Sequence, residues 1–502
     1  MKHYTSAKGT GTIQRKARTT RPTVNRAGGP AHTLTTRSAL AAHVLNGFYA
    51  EPNYYGDTLP DAEQVVIDCA SVDPEFVLKA AAYARNVGNM RSMPVFLLAQ
   101  AAFLPNTKQF VRRYTPYIVR RADQLVETIS MWRHYFAAEK KGRNRIQLPN
   151  ALRRGLADTW ENFNEYQLAK YDRDTTPVNL SGAMQLTHPR PATPERADLY
   201  KRLLERRLAT PATWETHISR FGSSKAAWEE IFPQMGYMAV LRNLRNFIQN
   251  GVNLKPVIAK LQDPEQVRRS KQLPFRFWSA YNEVVDQGAP PALLSALDSA
   301  LRTSLENLPQ LDGPSAAFAD TSGSMASPVS GKSKVTCSDI ACLMTAMFNA
   351  LNPEAMVGAV GTSAKASKFH SQNSIIDTAE RVKRMDVGWS TNYHTAINLL
   401  TEKRKRVNRI LIFGDMQTYN TSYWSSPGNF AAAFAKYRAN VNPEAHLYMF
   451  NLHTYGTTPM SEKDTGVTHI AGWNQNVFKF MEAAERGVEG LVQDIQQWDP
   501  CG

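Results

Sequence analysis

Asp320-Thr321-Ser322-Gly323-Ser324 places one carboxylate and two serine hydroxyls on a single turn, directly after the run Ser315–Ala319. These are hard oxygen donors, the set that suits Mg²⁺ or Mn²⁺ rather than zinc. They cannot fill an octahedron, so other loops must contribute. Thr391, in the loop Gly388-Trp389-Ser390-Thr391-Asn392, and Asp415, after the run Ile410–Gly414, stand at equivalent places. By residue type alone the pentapeptide is equally a capping turn, since turns use Ser, Thr, Asp and Gly. The metal reading comes from adding Thr391 and Asp415. Competing motifs fail. Gly331-Lys332-Ser333 lacks the first glycine of a P-loop, because position 326 is Ala326. An aspartic-protease Asp-Thr-Gly is interrupted by Ser322, and neither a Gly-x-Ser-x-Gly elbow at a strand end nor a His-Glu-x-x-His is present. No catalytic constellation remains, so the chain is read as non-enzymatic.

A second chemistry lies between Pro149 and Pro191. Arg153, Arg154, Lys170 and Arg173 punctuate helical segments that also carry Trp160, Phe163, Tyr166 and Tyr171. Positive charge to hold phosphate beside flat rings to hold bases is what RNA surfaces use. The bland alternative is ordinary too: core aromatics on helices whose outer faces carry Arg and Lys.

The elements that must position these residues fall into three parts. Residues 1–32 form a basic arm rich in Gly, Thr and Pro; the first acidic residue of the chain is Glu51. This arm is either a solubilising tail or a segment ordered by RNA or by the rest of the protein. Residues 33–311 show amphipathic segments of helical period in long succession, which predicts an all-α solenoid of the HEAT type. Asp73-Pro74-Glu75 reads as a helix start, and Gly88 and Gly251 as helix ends. Residues 312–502 alternate strand-like and helical runs, which predicts an α/β doubly wound domain with a parallel sheet. Its strands are expected in 315–322, 355–362, 408–415 and 445–452, and ligands of such sheets bind at the carboxyl ends of the strands.

Charge separates along the same line. The chain carries a formal net charge of +15. Residues 312–502 hold 17 basic and 17 acidic residues, so the whole excess, 42 basic against 27 acidic, lies before them. Such one-sidedness points to a polyanion partner. The four cysteines, Cys69, Cys337, Cys342 and Cys501, show no paired spacing, which suits a reducing compartment. With no signal peptide and no apolar run of about 18 residues, a cytoplasmic protein without a membrane partner is expected.

Asp320, Ser322, Ser324, Thr391 and Asp415 match all five positions of a pattern found in von Willebrand A domains. The sequence resembles the metal-ion-dependent adhesion site of that family, which leaves one coordination position open for an acidic or other oxygen ligand of a partner. The runs 151–174, 185–191, 236–247 and 273–282 resemble the TROVE domain of Ro autoantigens, bacterial members above all. The resemblance covers roughly residues 33–502. It implies a HEAT-repeat ring closed by a von Willebrand A domain. It also implies small noncoding Y RNA on the ring's outer surface and single-stranded 3′ ends of misfolded or structured RNA in a central hole. Work in RNA processing and stress response alongside exoribonucleases follows from the same likeness, and no DNA is expected. The family's Y RNA contacts map to Lys170 and His188; the accompanying arginine falls at Asp174 by strict spacing, with Arg173 adjacent. Without the resemblance, His188 reads as a buried structural histidine. Two other functions stay open on residues alone: a metal-dependent protein-binding scaffold and a metal-dependent nuclease.

Overall fold

A computed structural model describes residues 22–24, 30–46, 59–133, 147–172, 178–272, 274–306, 308, 313–328, 335–418, 430–452, 457–461, 464, 466–471, 478, 481 and 490–500. Two short strands open it, β1 (Pro22–Val24) and β2 (Pro30–Thr33). A helical array follows: α1 (Thr36–Asn46), α2 (Leu59–Val72), α3 (Pro74–Asn86), α4 (Ser92–Phe103), α5 (Lys108–Ile118), α6 (Ala122–Met131), α7 (Asn150–Thr159), α8 (Glu165–Tyr171) and α9 (Leu180–Thr187). It continues through α10 (Pro194–Leu204), α11 (Trp214–Phe221), α12 (Lys225–Ile231), α13 (Tyr237–Gln249), α14 (Leu254–Gln262), α15 (Pro264–Ser270), α16 (Pro274–Val285) and α17 (Pro291–Thr303).

Local chemistry sets the ends of these helices. The Asp73 carboxylate accepts the Phe76 N–H at 3.2 Å with Pro74 at the first helical position, as its sequence predicts. Gly251 has φ +64° and closes α13 by donating to the Ile248 carbonyl. Packing runs between near neighbours in sequence, α3 on α4 and α5, α4 on α6, α5 on α7, α7 on α9 and later α16 on α17, which is the contact pattern of a solenoid.

The C-terminal domain contains β3 (Ser315–Asp320), α18 (Cys337–Leu351), β4 (Met356–Val360), β5 (Ala364–Lys368), α19 (Ile375–Lys383), α20 (His394–Glu402), β6 (Arg409–Gly414), α21 (Phe430–Asn440), β7 (His446–Asn451), β8 (Thr457–Thr458), β9 (Val467–Ala471) and α22 (Gly490–Gln497). Six strands form one sheet in the order β5-β4-β3-β6-β7-β9. The four expected strands are present. The sheet is mixed rather than wholly parallel, because β5 pairs antiparallel with β4 at the edge. Side chains alternate between two buried faces. Ala317, Ala319, Leu411, Phe413, Tyr448 and Phe450 join α18 in an apolar cluster that continues into the helical array. Ala316, Phe318, Ile410, Ile412, Leu447 and Met449 pack with α20 and α21. Burial on both faces is why these strands read as unbroken apolar runs.

The sheet domain meets both ends of the helical array, which closes the chain into a ring. At one end Arg302 of α17 donates to the carbonyls of Ser371 at 3.0 Å and Asn373 at 2.6 Å. Asp298 accepts from the Ser374 hydroxyl at 2.8 Å and the Ile376 N–H at 3.1 Å. At the other end Lys79 of α3 donates to the Gln496 carbonyl at 2.8 Å, and Tyr83 meets Trp498 edge to face. The described part of the basic arm joins here: β1 pairs with β2, and β2 pairs with β8 of the sheet domain. Contact with the rest of the protein therefore organises residues 22–24 and 30–33.

Candidate functional site

The sheet order creates the cleft in which the candidate metal-binding residues lie. From β3 the chain steps to β4 on one side, and β6 lies on the other, so the carboxyl ends of β3 and β6 flank the switch point where such sheets bind ligands. Asp320 ends β3 and Asp415 follows β6; both carboxylates are buried. Asp320 accepts the Ser322 N–H at 2.9 Å through Oδ1 and the Tyr393 hydroxyl at 2.6 Å through Oδ2. Asp415 accepts the Gln417 N–H at 3.0 Å through Oδ1, while its buried Oδ2 has no hydrogen-bond partner among the described residues. The Ser322 and Ser324 hydroxyls lie 3.4 Å apart. Burial, then the neighbouring Asp415 charge, pushes the Asp320 carboxyl up to about 7, and burial raises Asp415 as well.

Thr391 is buried in a loop pinned from two sides. The Trp389 carbonyl accepts the Gly323 N–H at 2.9 Å, and the Asn392 N–H donates to the Gly361 carbonyl at 2.9 Å. The five predicted positions thus sit on three loops gathered at one end of the sheet. Tyr393 was not singled out by the sequence pattern. It reaches Asp320 because Gly414 lacks a side chain: a Cβ there would come within 2.4 Å of the Tyr393 oxygen and 2.9 Å of Asp320 Oδ2.

The RNA candidates lie in the helical array. Lys170 lies in the last turn of α8, a helix opened by a capping box between Asn164 and Gln167. Its Nζ stands 5.9 Å from the ring centres of both Tyr166 and Tyr171. His188 caps α9 in the left-handed conformation, φ 52°, and is exposed rather than buried as its residue type alone suggested. Its position is fixed by the preceding Thr187, whose hydroxyl accepts the Trp160 indole N–H at 2.9 Å. Both α8 and α9 pack on α6 and α10. The aromatics divide: Trp160 and Phe163 are core, whereas Tyr166 is 48% exposed. Arg153 lies on α7 and donates to Asn150 at 3.0 Å; Arg154 beside it is exposed. Arg173 falls outside the described residues.

A TROVE domain model matches residues 59–197 and 175–307, and a Ro60 vWA domain model matches residues 317–483. The chain belongs to the Ro family. That family binds RNA. The fold agrees with the crystal structure of the Ro (RSR) protein of Deinococcus radiodurans, at a TM-score of 0.61 and 16% identity, over 90% of this chain and 100% of that one. Among curated proteins, telomerase protein component 1 of mouse is 27% identical over 297 residues, which is 43% of this chain and 11% of the mouse protein. The rat protein is 26% identical over 329 residues, 49% of this chain and 12% of its own length. The Ro-type chain therefore matches only a small part of those longer proteins. Among the described residues no helix is long and apolar enough to cross a membrane.

Proposed function

We propose that this Ro-family chain is a non-catalytic RNA-binding ring of the cytoplasm. It takes noncoding Y RNA on its outer surface around Lys170 and His188, and single-stranded 3′ ends of misfolded or structured RNA in its central hole. Its role is then RNA quality control, processing and stress response alongside exoribonucleases. The observation that carries this reading is the grouping of the half-buried Lys170, the exposed His188 and the half-exposed ring of Tyr166 on helices that share α6 and α10, in the part of the chain that holds the entire basic excess. Binding to RNA is expected to weaken steeply with salt, with a log–log slope of roughly −4 for five or six phosphate contacts to a single strand. Titration by fluorescence anisotropy between low and physiological salt measures it. A flat salt response would remove the electrostatic basis of the reading. RNA cleaved on incubation with Mg²⁺ would favour the nuclease.

We infer further that the sheet domain holds one Mg²⁺ or Mn²⁺. The residues fit: two buried carboxylates share one cleft, Asp415 Oδ2 lacks a partner among the described residues, and two hydroxyls complete a hard oxygen set. Ser322, Ser324 and Thr391 would hold the ion, with Asp320 and Asp415 as direct or water-mediated ligands. When bound, the ion supplies an open coordination position for an anionic oxygen of a partner. Tyr393 orients Asp320 by its hydrogen bond. Tyr393→Phe deletes a charge-assisted bond of about 1.5 kcal/mol, so Mn²⁺ affinity should fall about tenfold while the fold persists. Calorimetric titration with Mn²⁺ checks this, and an unchanged affinity would leave Tyr393 a packing residue only.

A further inference from the structure

Four arginines converge where α3, α4 and α6 meet. Arg85 lies on α3, Arg91 immediately before α4, and Arg120 and Arg121 immediately before α6. Asp123 takes two of them, Arg91 at 2.7 Å and Arg121 through both carboxylate oxygens at 3.1 Å. The other nearby carboxyl is Glu127, which burial holds above its usual range and makes a reluctant anion. Arg85 donates to the Met90 carbonyl at 3.2 Å, and its buried Nε has no hydrogen-bond partner among the described residues. Burial first, then Arg121 and Arg120, pull the Arg85 guanidinium down to about 10. The protein thus holds positive charge here against repulsion.

This cluster is joined to the Lys170 region. Arg121 donates to the Tyr171 hydroxyl at 2.7 Å and stands 5.0 Å over its ring, and Lys170 lies 5.9 Å from the same ring. Asp172 follows at the end of α8. Arg91 and Arg120 are exposed, so an incoming anion can reach them. Cations spaced around a tyrosine, with the half-exposed ring of Tyr166 beyond Lys170, match a chain of phosphates with bases attached better than a lone inorganic anion.

We propose that Arg91, Arg120 and Arg121 form a phosphate-binding subsite, over which an RNA backbone runs from Lys170 across Tyr171 to the connection between α5 and α6. The proposal rests on the RNA-binding reading above.

The test compares the full-length Arg91→Ala/Arg120→Ala variant with Lys225→Ala/Arg245→Ala, which removes equal charge from exposed positions on α12 and α13. Anisotropy titrations with one small structured RNA are run across a salt series. The first variant should bind about tenfold more weakly at physiological salt, with a slope shallower by roughly 1.5, because each lost phosphate contact removes about 0.7–0.9. The control should stay close to wild type. RNA carrying 5-iodouridine should photocrosslink to Tyr166 or Tyr171 in the wild-type protein. Equal behaviour of the two variants overturns the subsite while leaving the RNA-binding reading intact. A wild-type protein that binds no RNA overturns both. Inhibition by phosphate with no effect of the variant on RNA would reduce the cluster to a small-anion site. Arg120→Ala alone, at an exposed position, should show half the slope change and serves if the double variant is unstable.

Discussion

Asp320→Ala is expected to abolish specific Mn²⁺ binding while the helical ring stays folded. Asp320 is the one residue of the cleft bonded to both Ser322 and Tyr393. Its loss takes away a carboxylate and the anchor of a proposed hydroxyl ligand together. Two opposing terms decide stability. The Ser322 N–H and Tyr393 hydroxyl lose an acceptor, at about 1–3 kcal/mol each if no water replaces it. Against this, the repulsive pairing of two buried carboxylates disappears. The C-terminal fold should therefore survive, and the ring contacts at Arg302 and Lys79 lie on other elements. Calorimetry reports the affinity and circular dichroism the fold. Unchanged Mn²⁺ affinity would mean that the site is wrongly placed.

The same carboxylate sets a pH dependence. Its folded value is raised from 3.8 to about 7, so the folded metal-free state binds a proton more tightly than the unfolded chain does. The stability this contributes is fully present below about 3.8 and is lost as pH rises through about 7. A cation at the cleft competes with that proton. Mn²⁺ affinity should accordingly fall as pH drops from 8 to 6, with about one proton released per ion bound. Calorimetric titration of the wild-type protein across that range checks this, and an affinity that does not change with pH would mean that proton and ion do not compete.

The cleft at the ends of β3 and β6 was legible because Asp320, Ser322, Ser324, Thr391 and Asp415 are of distinctive types, most of them placed directly after strands, and because doubly buried strands are continuous apolar runs. What stayed hidden depends on through-space contacts. The edge strand β5, Ala364–Lys368, sets only the small Ala364 and Ala366 on its inner face against Lys365 and Ser367 on the other, an alternation too short and too weakly apolar to mark a strand. β2 and β8 are too short for a periodic signal and exist by pairing across more than 400 residues. Tyr393 matters through the space left by Gly414, which no spacing rule expresses. Arg120 and Arg121 look like any helix-flanking basic residues until Arg85, Arg91 and Tyr171 are seen beside them. His188 was ambiguous in sequence for the opposite reason: its residue type fits core and surface alike, and the left-handed cap of α9 decides its exposure.

The second large effect concerns where different RNAs bind. A ring that takes structured RNA outside and single-stranded ends inside must use partly separate residues. Lys170 and His188 lie on adjoining helices at the surface, and the family resemblance adds Arg173 to them. Replacing all three by Ala removes two permanent cations and one hydrogen-bonding ring. Charge-assisted contacts are worth about 1.5–3 kcal/mol each, so losing two of them predicts a fall of roughly a hundredfold or more for a small structured RNA. On the proposed reading a short single-stranded 3′ tail uses the central hole instead, and its affinity should change by no more than a few-fold. Competition binding with the two RNAs, on a variant whose circular dichroism matches wild type, separates the outcomes. Equal losses for both RNAs would mean one shared surface. No loss for either would place the outer site elsewhere on the ring. A loss confined to the structured RNA, deepened further by Arg91→Ala/Arg120→Ala, would trace one continuous path from α9 across Tyr171 to the α5–α6 connection.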